Sequence, residues 1–297
     1  MQWERDGRDW PNRESSRFVN AGGLTWHVQV MGNGPVLLLL HGTGASNHSW
    51  RDVAPLLADH FTVIAPDLPG HGFSSAPSHW SLPSMAASMA QLLTTLGLPP
   101  TLGVGHSAGA AILARMSLDS AIDIRALIAV NGALLPLRGL AGRVFSPLAK
   151  LLALNPLVPR VFAWRASQPD TVGRLIDQTG SHLDARGLAL YERLVRDPAH
   201  CAAALNMMAH WDLESLARDV ARLRPTLCLV VGERDLTVSP HEAERLQARC
   251  PRASVVRLPA LGHLAHEEQP GRIAALIIRV ADEHAARPTT STSTTHR

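Results

Sequence analysis

Apolar positions along this chain follow two alternating patterns. Val36-Leu37-Leu38-Leu39-Leu40 is apolar at every position, as a strand covered on both faces must be. Phe61 to Pro66, Thr101 to Val104, Ala126 to Val130, Leu227 to Val231 and Ser254 to Leu258 read as further strands. Between these runs the apolar residues recur at intervals of three and four. Residues 46–60 carry Trp50, Val53, Leu56 and Leu57 at that spacing, and residues 81–97 and 110–116 continue it. Residues 272–284 place Ile273, Leu276, Ile277 and Val280 on one side of a closing helix. Ahead of all this, Arg17 to Asn20 and Leu24 to Val30 flank Ala21-Gly22-Gly23 and predict a β-hairpin. Strand and helix in alternation predict an α/β fold, a mostly parallel sheet with helices on both faces.

The alternation stops between residues 134 and 220. That stretch keeps helical spacing, is punctuated by Pro136, Pro147, Pro156, Pro159 and Pro169, and offers no strand. It reads as a helical lid inserted between core segments 17–133 and 221–284, with a leader over 1–16. A polar, low-complexity tail over 285–297 is expected to be disordered. From Arg125 to Gln168 there is no acidic residue, while Arg138, Arg143, Lys150, Arg160 and Arg165 lie among many leucines. Two readings stand. A basic, apolar lid would suit a large hydrophobic ligand with acid groups, or peripheral contact with a membrane surface. Alternatively, its apolar faces pack on the core and its arginines are solvated.

Composition narrows the setting. The 297 residues are 46% hydrophobic and 18% charged with a net charge of +3, too small an excess to argue for nucleic acid. Cys201, Cys228 and Cys250 are odd in number and form no Cys-x-x-Cys, which suits a reducing compartment. The charged start, Met1 to Asp9, lacks the apolar stretch of a secretory signal, and no apolar run reaches the ~18 residues of a spanning helix. A cytoplasmic location is expected. The 15 histidines form no His-Glu-x-x-His and no His/Cys cluster, so neither a metal site nor a cofactor is expected.

Candidate chemistry centres on Gly105-His106-Ser107-Ala108-Gly109, which joins a strand to a helix. A sharp turn there lifts the serine hydroxyl clear of the sheet, and the glycines two before and two after leave room for the strand and helix backbones to meet. A serine nucleophile needs a base, and the base needs an acid to hold its tautomer. Asp235 closes the turn after Val230-Val231-Gly232, and His263 follows Leu261-Gly262 after the last strand. Glu233 is a weaker candidate for the acid. Asp212 and Asp219 read as surface charges, and His266 as a neighbour of the site or a solvent-facing residue.

With these residues in place the chain resembles an α/β-hydrolase from about residue 17 to 284. The resemblance rests on His41-Gly42-Thr43-Gly44, Asp67-Leu68-Pro69-Gly70-His71-Gly72, the Ser107 turn, the Gly232 to Asp235 turn and Gly262-His263, all in family order. It implies an eight-stranded sheet, a Ser107-His263-Asp235 triad, and an oxyanion hole from the backbone N–H groups of Ala108 and Thr43. His41, Gly42, His48, Trp50 and His106 become possible pocket residues, with packing as the alternative for His48, Trp50 and His106. Serine at the turn excludes the aspartate chemistry of haloalkane dehalogenases and epoxide hydrolases. Carbon–carbon bond hydrolases and cofactor-free haloperoxidases use serine and remain open. A narrower resemblance, carried by Trp3 to Arg13, Ser15 to Val19 and His41 to Trp50, is to the magnesium-chelatase accessory proteins of bacteriochlorophyll biosynthesis. It implies magnesium-chelatase subunits as partners and a small apolar or tetrapyrrole-like substrate. Catalysis on an ester or related acyl compound and a non-catalytic accessory role both fit.

Overall fold

Eight strands form a single sheet in the computed structural model, which describes residues 1–136, 155, 157–166, 168 and 170–285. They are β1 (Ser16–Ala21), β2 (Leu24–Met31), β3 (Val36–Leu40), β4 (Thr62–Pro66), β5 (Leu102–His106), β6 (Ala126–Val130), β7 (Thr226–Gly232) and β8 (Ser254–Leu258). The sheet order is β1-β2-β4-β3-β5-β6-β7-β8. β1 and β2 form the predicted hairpin and β2 pairs antiparallel with β4; every pairing from β4 to β8 is parallel.

The helices are α1 (Trp3–Asp6), α2 (Val53–Ala58), α3 (Leu82–Leu96), α4 (Ala108–Leu118), α5 (Val158–Ala166), α6 (Thr171–Asp177), α7 (Ala185–Val195), α8 (Pro198–Ala209), α9 (Glu214–Asp219), α10 (Glu242–Arg249), α11 (Ala265–Glu268) and α12 (Pro270–Ala285). The β3 leucines show how the layers assemble. Leu38 and Leu40 face a cluster with Met85 and Met89 of α3 and Ile112 and Leu113 of α4. Leu37 and Leu39 face the other way, onto Trp50, Leu57 of α2 and Ile273 and Ile277 of α12. Side chains alternate across a strand, so an all-leucine run serves two cores at once.

One expected helix is broken. Residues 46–60 form a 3-10 turn at Asn47–Trp50 and then α2 from Val53. Pro55 accounts for the late start: it has no N–H and fits only the first turn of a helix.

Helices α5 to α9 occupy the chain between β6 and β7, and the described residues there include no strand. Residues 137–154 of the expected lid, among them Arg138, Arg143 and Lys150, lie outside the described residues, as do residues 286–297 of the expected tail. The leader is packed against the molecule. Trp10 is 2% exposed and its indole N–H donates to Asn47 Oδ1 at 3.0 Å. Arg193 of α7 holds both carboxylate oxygens of Asp9, at 2.7 and 2.9 Å. No helix among the described residues is long and apolar enough to cross a membrane.

Candidate active site

Ser107 stands between β5 and α4 at φ 49° and ψ −117°, a conformation that L-residues rarely adopt. The glycines around it are required by contact. A Cβ on Gly105 would lie 2.3 Å from the Ala110 nitrogen, and one on Gly109 would lie 2.3 Å from the Leu40 carbonyl oxygen. Both obstacles are backbone, so neither can swing away. The turn is braced by Ser107 N–H donating to Val130 O at 3.1 Å and Ala133 N–H donating to Ser107 O at 3.1 Å.

Asp235 and His263 meet behind this turn. His263 Nδ1 and Asp235 Oδ2 are 2.8 Å apart, with the Asp235 side chain fully buried. The other carboxylate oxygen accepts from the N–H groups of Thr237 at 2.7 Å and Val238 at 2.9 Å. Asp235 is thus fixed by three hydrogen bonds, whereas Glu233 is exposed. Ser107 Oγ makes no hydrogen bond to His263.

Several residues that hold this geometry escaped the sequence reading. Asn131, just past β6, accepts from Gly232 N–H and donates to Gly262 O and His263 O, all within 2.9 Å. Its signal was a polar residue ending an apolar run. The segment after α6 also joins in. Thr179 O accepts from His263 N–H and Leu236 N–H, and Ser181 Oγ accepts from Leu264 N–H at 2.8 Å. Nothing in the sequence distinguishes Thr179 or Ser181 from other polar residues between helices.

The loop after β3 has its own supports. Leu68 N–H donates to His41 Nε2 at 2.8 Å, so Nδ1 carries the proton and donates to Gly42 O at 2.8 Å. Burial lowers the His41 imidazole to about 4 and keeps it neutral for both bonds. His200 of α8 ties this loop to the turn after β4: Nδ1 accepts from Gly72 N–H and Nε2 donates to Gly44 O at 3.0 Å. Among the described residues neither Ala108 N–H nor Thr43 N–H has an acceptor. The Thr43 hydroxyl donates to Met207 Sδ of α8 at 3.4 Å.

The possible pocket residues divide. Gly42 lies against Ser107 and His106: an added Cβ would come 3.1 Å from Ser107 Cβ and 2.8 Å from His106 Nδ1. His106 turns beneath the site, where Nε2 donates to His263 O at 2.9 Å. His48 and Trp50 do not open onto a pocket; both are fully buried and serve packing. His48 packs edge-on to Tyr191 and Trp10, while Trp50 lies in the core under α2 and α12. His266 is fully buried too, its ring 4.4 Å from both Trp50 and His106, which rules out a solvent-facing position. Burial drives it down to about 3. No group of three or more metal-ligating side chains occurs among the described residues.

Sheet order, strained serine turn and buried acid–histidine pair define a class. The chain belongs to the α/β-hydrolase fold family, whose model matches residues 35–270. It is 37% identical over 275 residues to the magnesium-chelatase 30 kDa subunit of Rhodobacter capsulatus, a match covering 91% of this chain and 95% of that protein. It is 29% identical over 277 residues to haloalkane dehalogenase 2 of Mycobacterium tuberculosis, covering 89% of this chain and 94% of the relative. An α/β-hydrolase fold protein from Burkholderia ambifaria superposes with a TM-score of 0.74 at 26% identity, over 89% of this chain and 97% of that one.

Proposed function

We propose that the protein is a serine hydrolase acting on an ester or related acyl compound, and that it serves beside magnesium chelation in bacteriochlorophyll biosynthesis. The observation that carries the catalytic part is the buried His263–Asp235 pair at 2.8 Å, set with Ser107 at the ends of β5, β7 and β8. Asp235 fixes the proton on Nδ1, which leaves Nε2 as the basic nitrogen. Nε2 takes the Ser107 proton as Oγ bonds to the acyl carbon, and gives it to the departing alcohol as the ester bond breaks. Water then repeats the sequence on the acyl-serine and releases the acid. The Ala108 and Thr43 N–H groups receive the oxyanion, and losing one such donor typically costs about 3 kcal/mol of transition-state stabilisation. The Ser107–His263 contact forms when substrate closes the site, as catalytic hydrogen bonds in unliganded enzymes commonly do.

The chelation part rests on likeness to the Rhodobacter capsulatus subunit along nearly the full length of both chains. A small apolar or tetrapyrrole-like compound is then the substrate, and magnesium-chelatase subunits are the partners. That same likeness favours a second reading, an accessory protein that binds and does not catalyse. Two measurements separate them. A fluorophosphonate probe should label wild type at Ser107 and leave Ser107→Ala and His263→Ala unlabelled; an unlabelled wild type ends the catalytic reading. In a strain lacking the gene, Ser107→Ala should fail to restore pigment. Full restoration would leave only the accessory role.

A further inference from the structure

Three large apolar residues on or beside helix α5 face outward. Leu157, Val161 and Trp164 are 58%, 58% and 63% exposed. Val161 N–H donates to Leu157 O at 2.9 Å, so Leu157 belongs to the same helical turn. At 100° per residue the three fall within an arc of about 60°. Arg160 and Arg165, both exposed, project about 60° to one side and about 80° to the other. The opposite face is satisfied: Pro159 and Ala163 are buried, and the helix packs on α8.

We infer that this outward face of α5 is a docking surface for an anionic lipid bilayer. An apolar stripe with an indole, bracketed by arginines, matches the layering of a membrane interface. The stripe enters the acyl boundary, Trp164 sits at headgroup level, and the guanidinium groups reach phosphates along their apolar stems. Charge complementarity selects the partner. Between Asp123 and Asp170 the sequence holds no acidic residue, although the net charge of the whole chain is only +3. A second copy of the chain fits poorly, since a two-fold contact through this stripe would bring the arginines together. The inference does not depend on the hydrolase reading, and its test reads binding alone.

The full chain is floated with vesicles of phosphatidylcholine, with and without phosphatidylglycerol. Binding is expected to the anionic vesicles and to weaken as salt is added, because these charges are exposed to screening. Val161→Ser/Trp164→Ser and Arg160→Gln/Arg165→Gln should each lower the partition coefficient by about tenfold or more. A conservative Trp164→Phe variant should bind but lose most of the fluorescence quenching that brominated lipid produces in wild type. No flotation on anionic vesicles overturns the inference, as does flotation that both double variants leave unchanged. Sedimentation showing a dimer that Trp164→Ser dissolves, without lipid binding, would assign the face to self-association.

Discussion

Asn131 sits at φ 46° directly after β6 and uses one amide to tie three loops together. It joins the end of β6 to the β7 turn through Gly232 N–H, and to the β8 loop through the carbonyls of Gly262 and His263. Truncation takes the Asn131 partner from Gly232 N–H and Gly262 O, while His263 O keeps only its bond from His106 Nε2, and it puts alanine in a left-handed conformation. Asn131→Ala should therefore cost about 2–4 kcal/mol in urea unfolding. It should also slow fluorophosphonate labelling, because the His263 backbone loses a brace. Glycines show how local such effects are. Gly109→Ala drives a Cβ into the Leu40 carbonyl and should abolish labelling or soluble expression. Gly173→Ala, in the interior of α6 with no atom within 4 Å of the new methyl, should instead stabilise the fold by about 0.5–1 kcal/mol.

Among the elements, the leader is the least expected participant. Trp10 packs edge-on against Phe73, with centroids 4.9 Å apart, while its indole holds Asn47, whose N–H donates to Asp67 Oδ1 at 2.7 Å. Asp67 also takes His27 Nδ1 and Phe73 N–H, so the leader enters the polar network under the turn after β4. Trp10→Ala removes that packing and should cost about 3–5 kcal/mol, read as a fall in the urea midpoint. Arg193→Ala should cost at most about 1 kcal/mol, since its partner Asp9 is 74% exposed. The contrast shows what the sequence can display. Strands covered on both faces announce themselves as unbroken apolar runs, and Ser107, Asp235 and His263 stand at strand ends in a legible order. Trp10 and Asn47 are 37 residues apart and Arg193 and Asp9 are 184 apart, so no local pattern links them. For the same reason His48 and Trp50 read equally well as pocket or packing until their neighbours, Tyr191 and His266, are known.

At the scale of the molecule, a buried cation is among the links that join core and helical insertion. Arg51, 5% exposed, reaches Asp184 at the start of α7 and Glu267 of α11, at 3.0 and 3.4 Å. Tyr191 of α7 donates to the other Glu267 oxygen at 2.7 Å. Burial pushes the Glu267 carboxyl up to about 8, with Asp52 and Asp184 adding to it, against the opposing pull of Tyr191 and Arg51. A carboxyl raised in the folded state binds its proton more tightly there than in the unfolded chain. Its contribution to stability is complete below its ordinary value near 4.5 and is lost as pH rises through about 8. The buried imidazoles His41, His48, His71, His106, His200 and His266 act in the opposite sense. Burial lowers each of them, so they are neutral when folded, and they destabilise the protein as pH falls below about 6.5, where the unfolded chain takes up protons. The two effects overlap at acid pH and separate above it. Between about pH 7.5 and 8 these histidines are close to neutral in both states, and Glu267 is the group in this set still changing charge. Wild type should lose thermal stability across that interval, and Glu267→Gln, which keeps an acceptor for Tyr191 but cannot ionise, should flatten the Tm profile there. Parallel profiles for the two proteins from about pH 7.5 to 8 would show that Arg51 already holds Glu267 as a carboxylate. The junction between core and insertion would then be an ordinary ion pair and not a proton-linked one.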